Sequence, residues 1–175
     1  MMKKSFCATL TALAILTSPI AMNAAYSSET IFNNMSGKFR GKGQVKASAK
    51  GKNEAIRCRM TNKVASPTRL NLSGNCSVTG FVFSLRGHIE QTGKNAYKAN
   101  MFRALANLKQ SNFSGKRSGS KINFNFAARD AISKSDVKAS IILNSKSESK
   151  FTVQISRTDP ETKKVFKVGT ITFTK

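Results

Sequence analysis

EAIRCRMTNKVASPTRLNLSGNCSV, residues 54–78, decides the fold. Ile56, Cys58 and Met60, then Leu70, Leu72, Gly74, Cys76 and Val78, place an apolar or small residue at every second position, the period of a strand with one buried face. Ser66-Pro67-Thr68 separates the two runs as a turn. Antiparallel pairing about Pro67 sets position 58 opposite position 76 with both side chains on the same face. A cross-strand disulfide between Cys58 and Cys76 is then geometrically available.

The same period runs outward in both directions. Phe39, Gly41, Gly43, Val45, Ala47 and Ala49 alternate with Lys38, Arg40, Lys42, Gln44, Lys46 and Ser48, and Gly51-Lys52-Asn53 turns the chain into the cysteine hairpin. Thr79-Gly80 leads into Phe81, Phe83, Leu85, Gly87 and Ile89, and Thr92 to Asn95 into Tyr97, Ala99 and Met101. Alternation is weakest from Leu105 to Ser118; Met101 to Leu108 is the one place where a short helix competes with a strand. It returns with Ile122, Phe124 and Phe126, with Val137 to Leu143, with Phe151 to Ile155, and from Val165 to Phe173. About nine or ten strands at this spacing predict an all-β single-domain antiparallel meander. The expected form is a closed, lipocalin-like up-and-down barrel of about 8–10 strands, with a sandwich as the alternative; closure removes the sheet edges.

Lys3 and Lys4, the apolar run Phe6 to Leu16 and the small-residue exit Pro19 to Ser27 read as a secretory signal peptide over 1–27, with the cut after Ser27 or, alternatively, Ala25. One domain, 28–175, then remains, periplasmic or secreted, and no later stretch approaches the roughly 20 apolar residues of a transmembrane helix. Cys7 leaves with the signal, and the remaining pair in an exported chain favours a disulfide over a metal site. The formal charge of +22 falls to +20 once Lys3 and Lys4 are gone, an excess that attracts polyanions.

The segments Phe39-Arg40-Gly41-Lys42-Gly43-Gln44-Val45, Glu54-Ala55-Ile56-Arg57-Cys58-Arg59 and Leu70-Asn71-Leu72-Ser73-Gly74-Asn75-Cys76 resemble a group of small exported, Cys-paired, β-rich proteins of rhizobia-like alphaproteobacteria with no assigned function. The resemblance covers mainly residues 37–90 and implies an exported β-rich fold.

Residues able to do chemistry are sparse. His88 is the one histidine, and alternation turns it away from the Phe81, Phe83 and Leu85 face. Asp130, Asp136, Glu148, Asp159 and Glu161 fall in or beside turns, where an acid serves local backbone hydrogen bonds. Metal-ligand clusters, phosphate-cradling loops and a nucleophile elbow are missing from the sequence, so the reading expects no catalytic residue, no metal, no cofactor and no enzyme. Gly41 and Gly43 sit on the inward face, where close approach of a neighbouring strand or barrel curvature explains them.

Placed on the strands, the basic residues suggest a partner. A first hairpin turning at Gly51 to Asn53 sets Val45 opposite Met60 and Ala47 opposite Cys58, and on the outer face Lys46 opposite Arg59 and Lys42 opposite Lys63, with Arg57 alongside. Like charges facing each other across strands cost stability, so these five suggest a binding face for an anionic cell-envelope component (lipid headgroup, lipopolysaccharide or acidic glycan), the alternative being a well-hydrated, salt-screened face on a generally basic protein. Nucleic acid is disfavoured because the aromatics are mostly inward Phe and do not interleave with the basic residues as stacking platforms. The alternative function is a carrier holding a small apolar ligand among Phe39, Phe81, Phe83, Phe124, Phe126, Ile141 and Phe151. Against it, a barrel of about eight strands is just wide enough to be filled by its own side chains, and the expectation is a filled interior.

Overall fold

The computed structural model describes residues 28–102, 112–129 and 134–175; the expected signal segment 1–27 lies outside the described residues. Helix α1 (Ser28–Asn34) precedes β1 (Gly37–Val45), β2 (Glu54–Ser66), β3 (Arg69–Val78), β4 (Phe81–Gln91), β5 (Ala96–Phe102), β6 (Asn112–Ser118), β7 (Lys121–Arg129), β8 (Asp136–Ser147), β9 (Lys150–Thr158) and β10 (Val165–Thr174). Each strand pairs antiparallel with its sequence neighbour, and β1 also pairs with β10, so the sheet closes into a ten-stranded up-and-down barrel. β6 holds the C-terminal part of the weakly alternating segment; residues 103–111, including most of the stretch where a helix competed, are outside the described residues.

The alternation explains the closure. On β2 the pattern buries Ile56, Cys58, Met60 and Asn62 and exposes Arg57, Arg59, Thr61 and Lys63. Cys58 faces Cys76 across β2 and β3, as the Pro67 turn predicts, and the two form a disulfide inside the barrel with their Cα atoms 4.0 Å apart. Tight curvature needs residues without a Cβ. A Cβ on Gly41 would lie 2.5 Å from the Phe173 ring, and one on Gly43 would strike the Thr170 carbonyl of β10.

The register of the first hairpin corrects the expectation from sequence. Val45 faces Glu54, Lys42 faces Arg57, Gly41 faces Cys58 and Arg40 faces Arg59. The strand ends earlier than its pattern does: after Lys46 N–H donates to the Val168 carbonyl at 2.8 Å, the chain leaves the sheet and turns at Ser48, whose carbonyl accepts from Gly51 N–H at 3.1 Å. Ala47 and Ala49 continue the alternation on paper, but alanines bury too little apolar surface to hold two more pairs in the sheet. Ala47 stands exposed.

α1 also corrects the sequence reading, which found no convincing helix outside Met101 to Leu108. Ile31 and Phe32, with Met35 one turn on, point into one end of the barrel and are 1%, 0% and 1% exposed. Burial of each such side chain is worth about 1.5–3 kcal/mol, enough to hold a helix too short to persist alone. Phe32 meets Tyr97 of β5 edge to face, with centroids 6.1 Å apart. Gly37, at φ 119°, turns the chain from the helix into β1. Behind the plug, Phe151 lies between Phe39 (4.9 Å) and Phe173 (4.6 Å), and Leu70, Ile89 and Ile122 complete a solid half-core.

Candidate functional site

Burial falls off toward the opposite end. Val45, Leu72, Phe83, Leu85, Met101, Ile141 and Val153 are only partly buried although they point inward, because they surround a cavity of about 350 Å³. That volume lies at the lower end of the range for small-molecule pockets. Met35 and Asn62 belong to its plugged end, and Val45, Lys46, Glu54 and Val168 to the mouth. Among the described residues the interior is therefore filled over the plugged half and hollow over the other, against the expectation of a filled barrel. Ten strands enclose a wider interior than the eight for which self-filling was argued.

Asn62 is the buried polar residue of the lining, 3% exposed. Its Nδ2 donates to the Met35 carbonyl at 2.9 Å, and its Oδ1 accepts no hydrogen bond among the described residues. At the mouth, Lys46 Nζ and Arg157 Cζ lie 5.6 and 5.4 Å from the centre of the Phe166 ring, within cation–π range. Both are anchored to the β1–β2 connection: Lys46 Nζ donates to the Ala49 carbonyl at 2.9 Å, and an Arg157 Nη2 hydrogen donates to that of Ala47 at 2.6 Å.

Of the seven residues expected to line the interior, Phe83, Phe124, Ile141 and Phe151 touch the cavity. Phe39 belongs to the packed half, and Phe126 packs on Phe113 with centroids 4.2 Å apart. Phe81 is a correction: it stands 56% exposed, stacked on Phe83 at 5.9 Å, because it is the first residue after the Thr79-Gly80 turn and overshoots the barrel wall. Leu85, Val153 and Ile155 were missed as lining residues although their alternation was plain, and Met101 was missed where the phase of the alternation falters. Period two shows which side chains point inward; it does not show where along the barrel the packing stops.

The five expected anion-binding residues separate. Lys42, Arg57, Arg59 and Lys63 lie exposed on the outer face, but Lys63 faces Asn71 of β3 and has no partner position on β1. Lys46 leaves the patch for the cavity mouth. Arg40, not singled out in the sequence, takes its place opposite Arg59. His88 faces outward and is half-buried, its Nδ1 3.2 Å from Arg69 Nη2. Burial lowers its pKa below the ordinary 6.5, helped by the Arg69 charge and opposed by Glu90. No helix among the described residues is long and apolar enough to cross a membrane.

These features define a closed antiparallel up-and-down barrel of lipocalin-like type, plugged at one end and, among the described residues, open at the other. Solved structures share the architecture. An S-type phycobiliprotein lyase from Guillardia theta superposes with a TM-score of 0.60 at 11% identity, covering 85% of this chain and 92% of that one. The protein Rv2717c from M. tuberculosis does so with a TM-score of 0.59 at 8% identity, covering 87% and 97%. No protein-family model matches the sequence, and no curated protein matches it significantly. The expectation that the chain is not an enzyme is corrected by the first of these likenesses. It rested on missing motifs, and a protein described as a lyase is built on the same barrel, so the fold gives no ground for excluding catalysis.

Proposed function

We propose that this protein binds a small apolar molecule inside its barrel, the reading that stood second on sequence. One observation carries it: the open half of the barrel encloses an apolar cavity of about 350 Å³ that the side chains of the described residues leave unfilled. The unpaired Asn62 Oδ1 favours a ligand with a single hydrogen-bond donor, such as a hydroxyl, at its buried end. Export through the expected signal segment would make it an extracytoplasmic carrier or binding protein.

The test is native mass spectrometry with organic extraction on protein purified from its own host, together with titration by a fluorescent fatty alcohol. Saturable binding that Leu85→Trp abolishes, with circular dichroism unchanged, supports the reading. Saturable binding unaffected by filling the cavity, or no binding at all, defeats it.

A second reading, attachment of an anionic envelope component to the outer face of β1 and β2, is favoured by the two like-charge pairs Arg40–Arg59 and Lys42–Arg57. Residues of neutral side chain, Thr172, Thr174, Asn75 and Ser77, border them on β10 and β3.

A further inference from the structure

The large apolar side chains that stand exposed among the described residues are Phe81, Val82 and Val165, at 56%, 69% and 74%. All three sit at the open end. Phe81 and Val82 open β4 directly after the Thr79-Gly80 turn, beside Val78 of the cavity lining, and Val165 opens β10 three residues before Val168 of the mouth. In the order of the barrel β4 and β10 are separated by β3, β2 and β1, so the apolar tips occupy two well-separated arcs of one rim. Chance scatter would distribute exposed apolar residues over both ends and the flanks.

On its β1–β2 and β9–β10 connections the same rim carries a charge complementary to an anionic surface, with Glu54 at the mouth and exposed Asp136 at the start of β8 as its acids on the strands. Exposed Lys50 and Lys52 stand on the β1–β2 connection and exposed Lys163 and Lys164 on the β9–β10 connection. The acids of those two connections are Glu161 and Asp159, and Asp159 is turned inward, its Oδ1 accepting from the backbone N–H of Glu161 and Thr162 at 3.1 and 2.9 Å. Apolar tips flanked by exposed lysines are the composition of a surface that seats in a lipid headgroup layer. We infer that the open rim docks on an anionic bilayer, with Phe81, Val82 and Val165 inserted at the acyl boundary and the cavity mouth facing the lipid. The inference stands on the rim and does not require that the cavity hold a ligand.

The chain has no tryptophan, so Phe81→Trp supplies a single reporter at the rim and Thr61→Trp one on the flank. With vesicles of equimolar phosphatidylcholine and phosphatidylglycerol, the Phe81→Trp emission should shift to the blue and be quenched by brominated acyl chains, while that of Thr61→Trp should not. The double variant Phe81→Ser, Val82→Ser keeps the charge and should lower vesicle partitioning about tenfold. Lys163→Gln with Lys164→Gln should lower it by a similar factor and weaken its salt dependence. No sedimentation with the vesicles overturns the inference. So does sedimentation with the Phe81→Trp emission unmoved, which would mean adhesion through the basic flank. A barrel that binds no fatty alcohol leaves this result untouched, so the two readings fail separately.

Discussion

The side-chain amide of Asn62, on the wall of the barrel, hydrogen-bonds the main-chain carbonyl of Met35, just beyond the plug helix, at 2.9 Å. This carbonyl lies just past the end of α1, where no following helical residue can supply its donor. The bond therefore fixes the plug to the wall and sets the plugged end of the cavity in one step.

Replacing Asn62 by Ala should cost about 1–3 kcal/mol, because it leaves a buried carbonyl without a partner. Chemical denaturation would measure the loss. Hydrogen exchange at Met35 and Ser36, whose amides donate to Ile31 and Asn33, should accelerate more than exchange on β3. Uniform acceleration would show that the bond supports the whole barrel instead of the plug.

Gly41 tests the packed half from the other side. Its missing Cβ admits the ring of Phe173, which stacks on Phe151 at an interplanar angle of 9°. Gly41→Val should destabilise by about 1–3 kcal/mol through overpacking, read as a lower melting temperature. Pairing it with Phe173→Leu should recover part of the loss, since the smaller side chain gives up the contested space. Gly43→Ala should not be rescued the same way, because there the obstacle is the backbone carbonyl of Thr170.

Lys42 and Arg57 face each other on the exposed surface of β1 and β2. Lys42→Gln with Arg57→Gln should raise stability by a few tenths of a kcal/mol, the size of a relieved cross-strand like-charge pair. If the pair belongs to an anion-binding face, binding to lipopolysaccharide should fall further than after Lys146→Gln with Lys150→Gln. Equal losses would assign the binding to total charge alone.

What the sequence disclosed and what it withheld follow from the reach of each signal. Cys58 and Cys76 were placed opposite each other because Pro67 ties a short turn to a long alternating pair of strands, all of it local. The register of β1 was misplaced because Ala47 and Ala49 keep the period while contributing little burial, so pattern and free energy part company there. The plug was invisible because Ile31, Phe32 and Met35 make less than two turns of amphipathic helix; their meaning depends on Phe32 meeting Tyr97, 65 positions away in the chain. The cavity depends on strand number and on where the helix stops, and neither has a local signature in Leu85 or Val153.

His88 gives the protein a titration that can be followed. Arg69 Nη2–H donates to Nδ1, which requires that nitrogen to be unprotonated, and partial burial lowers the pKa in the same direction. The folded pKa thus lies below the unfolded value near 6.5, so the unfolded chain binds the proton more readily. Stability from this group is fully present above the unfolded pKa, declines as the pH falls through the window between the two values, and is lost below the folded one. Glu90, on the same strand, limits the effect by favouring the imidazolium. Melting temperatures measured from pH 8 to pH 5 should therefore fall more for the wild type than for His88→Gln, which keeps a hydrogen-bonding side chain and removes the titration. Proton resonances of the ring should titrate below the ordinary range, and Arg69→Gln should move them up toward it. An unchanged midpoint in Arg69→Gln would leave burial as the sole cause, and a wild-type profile parallel to that of His88→Gln would show that the acid sensitivity of the barrel arises at its carboxylates.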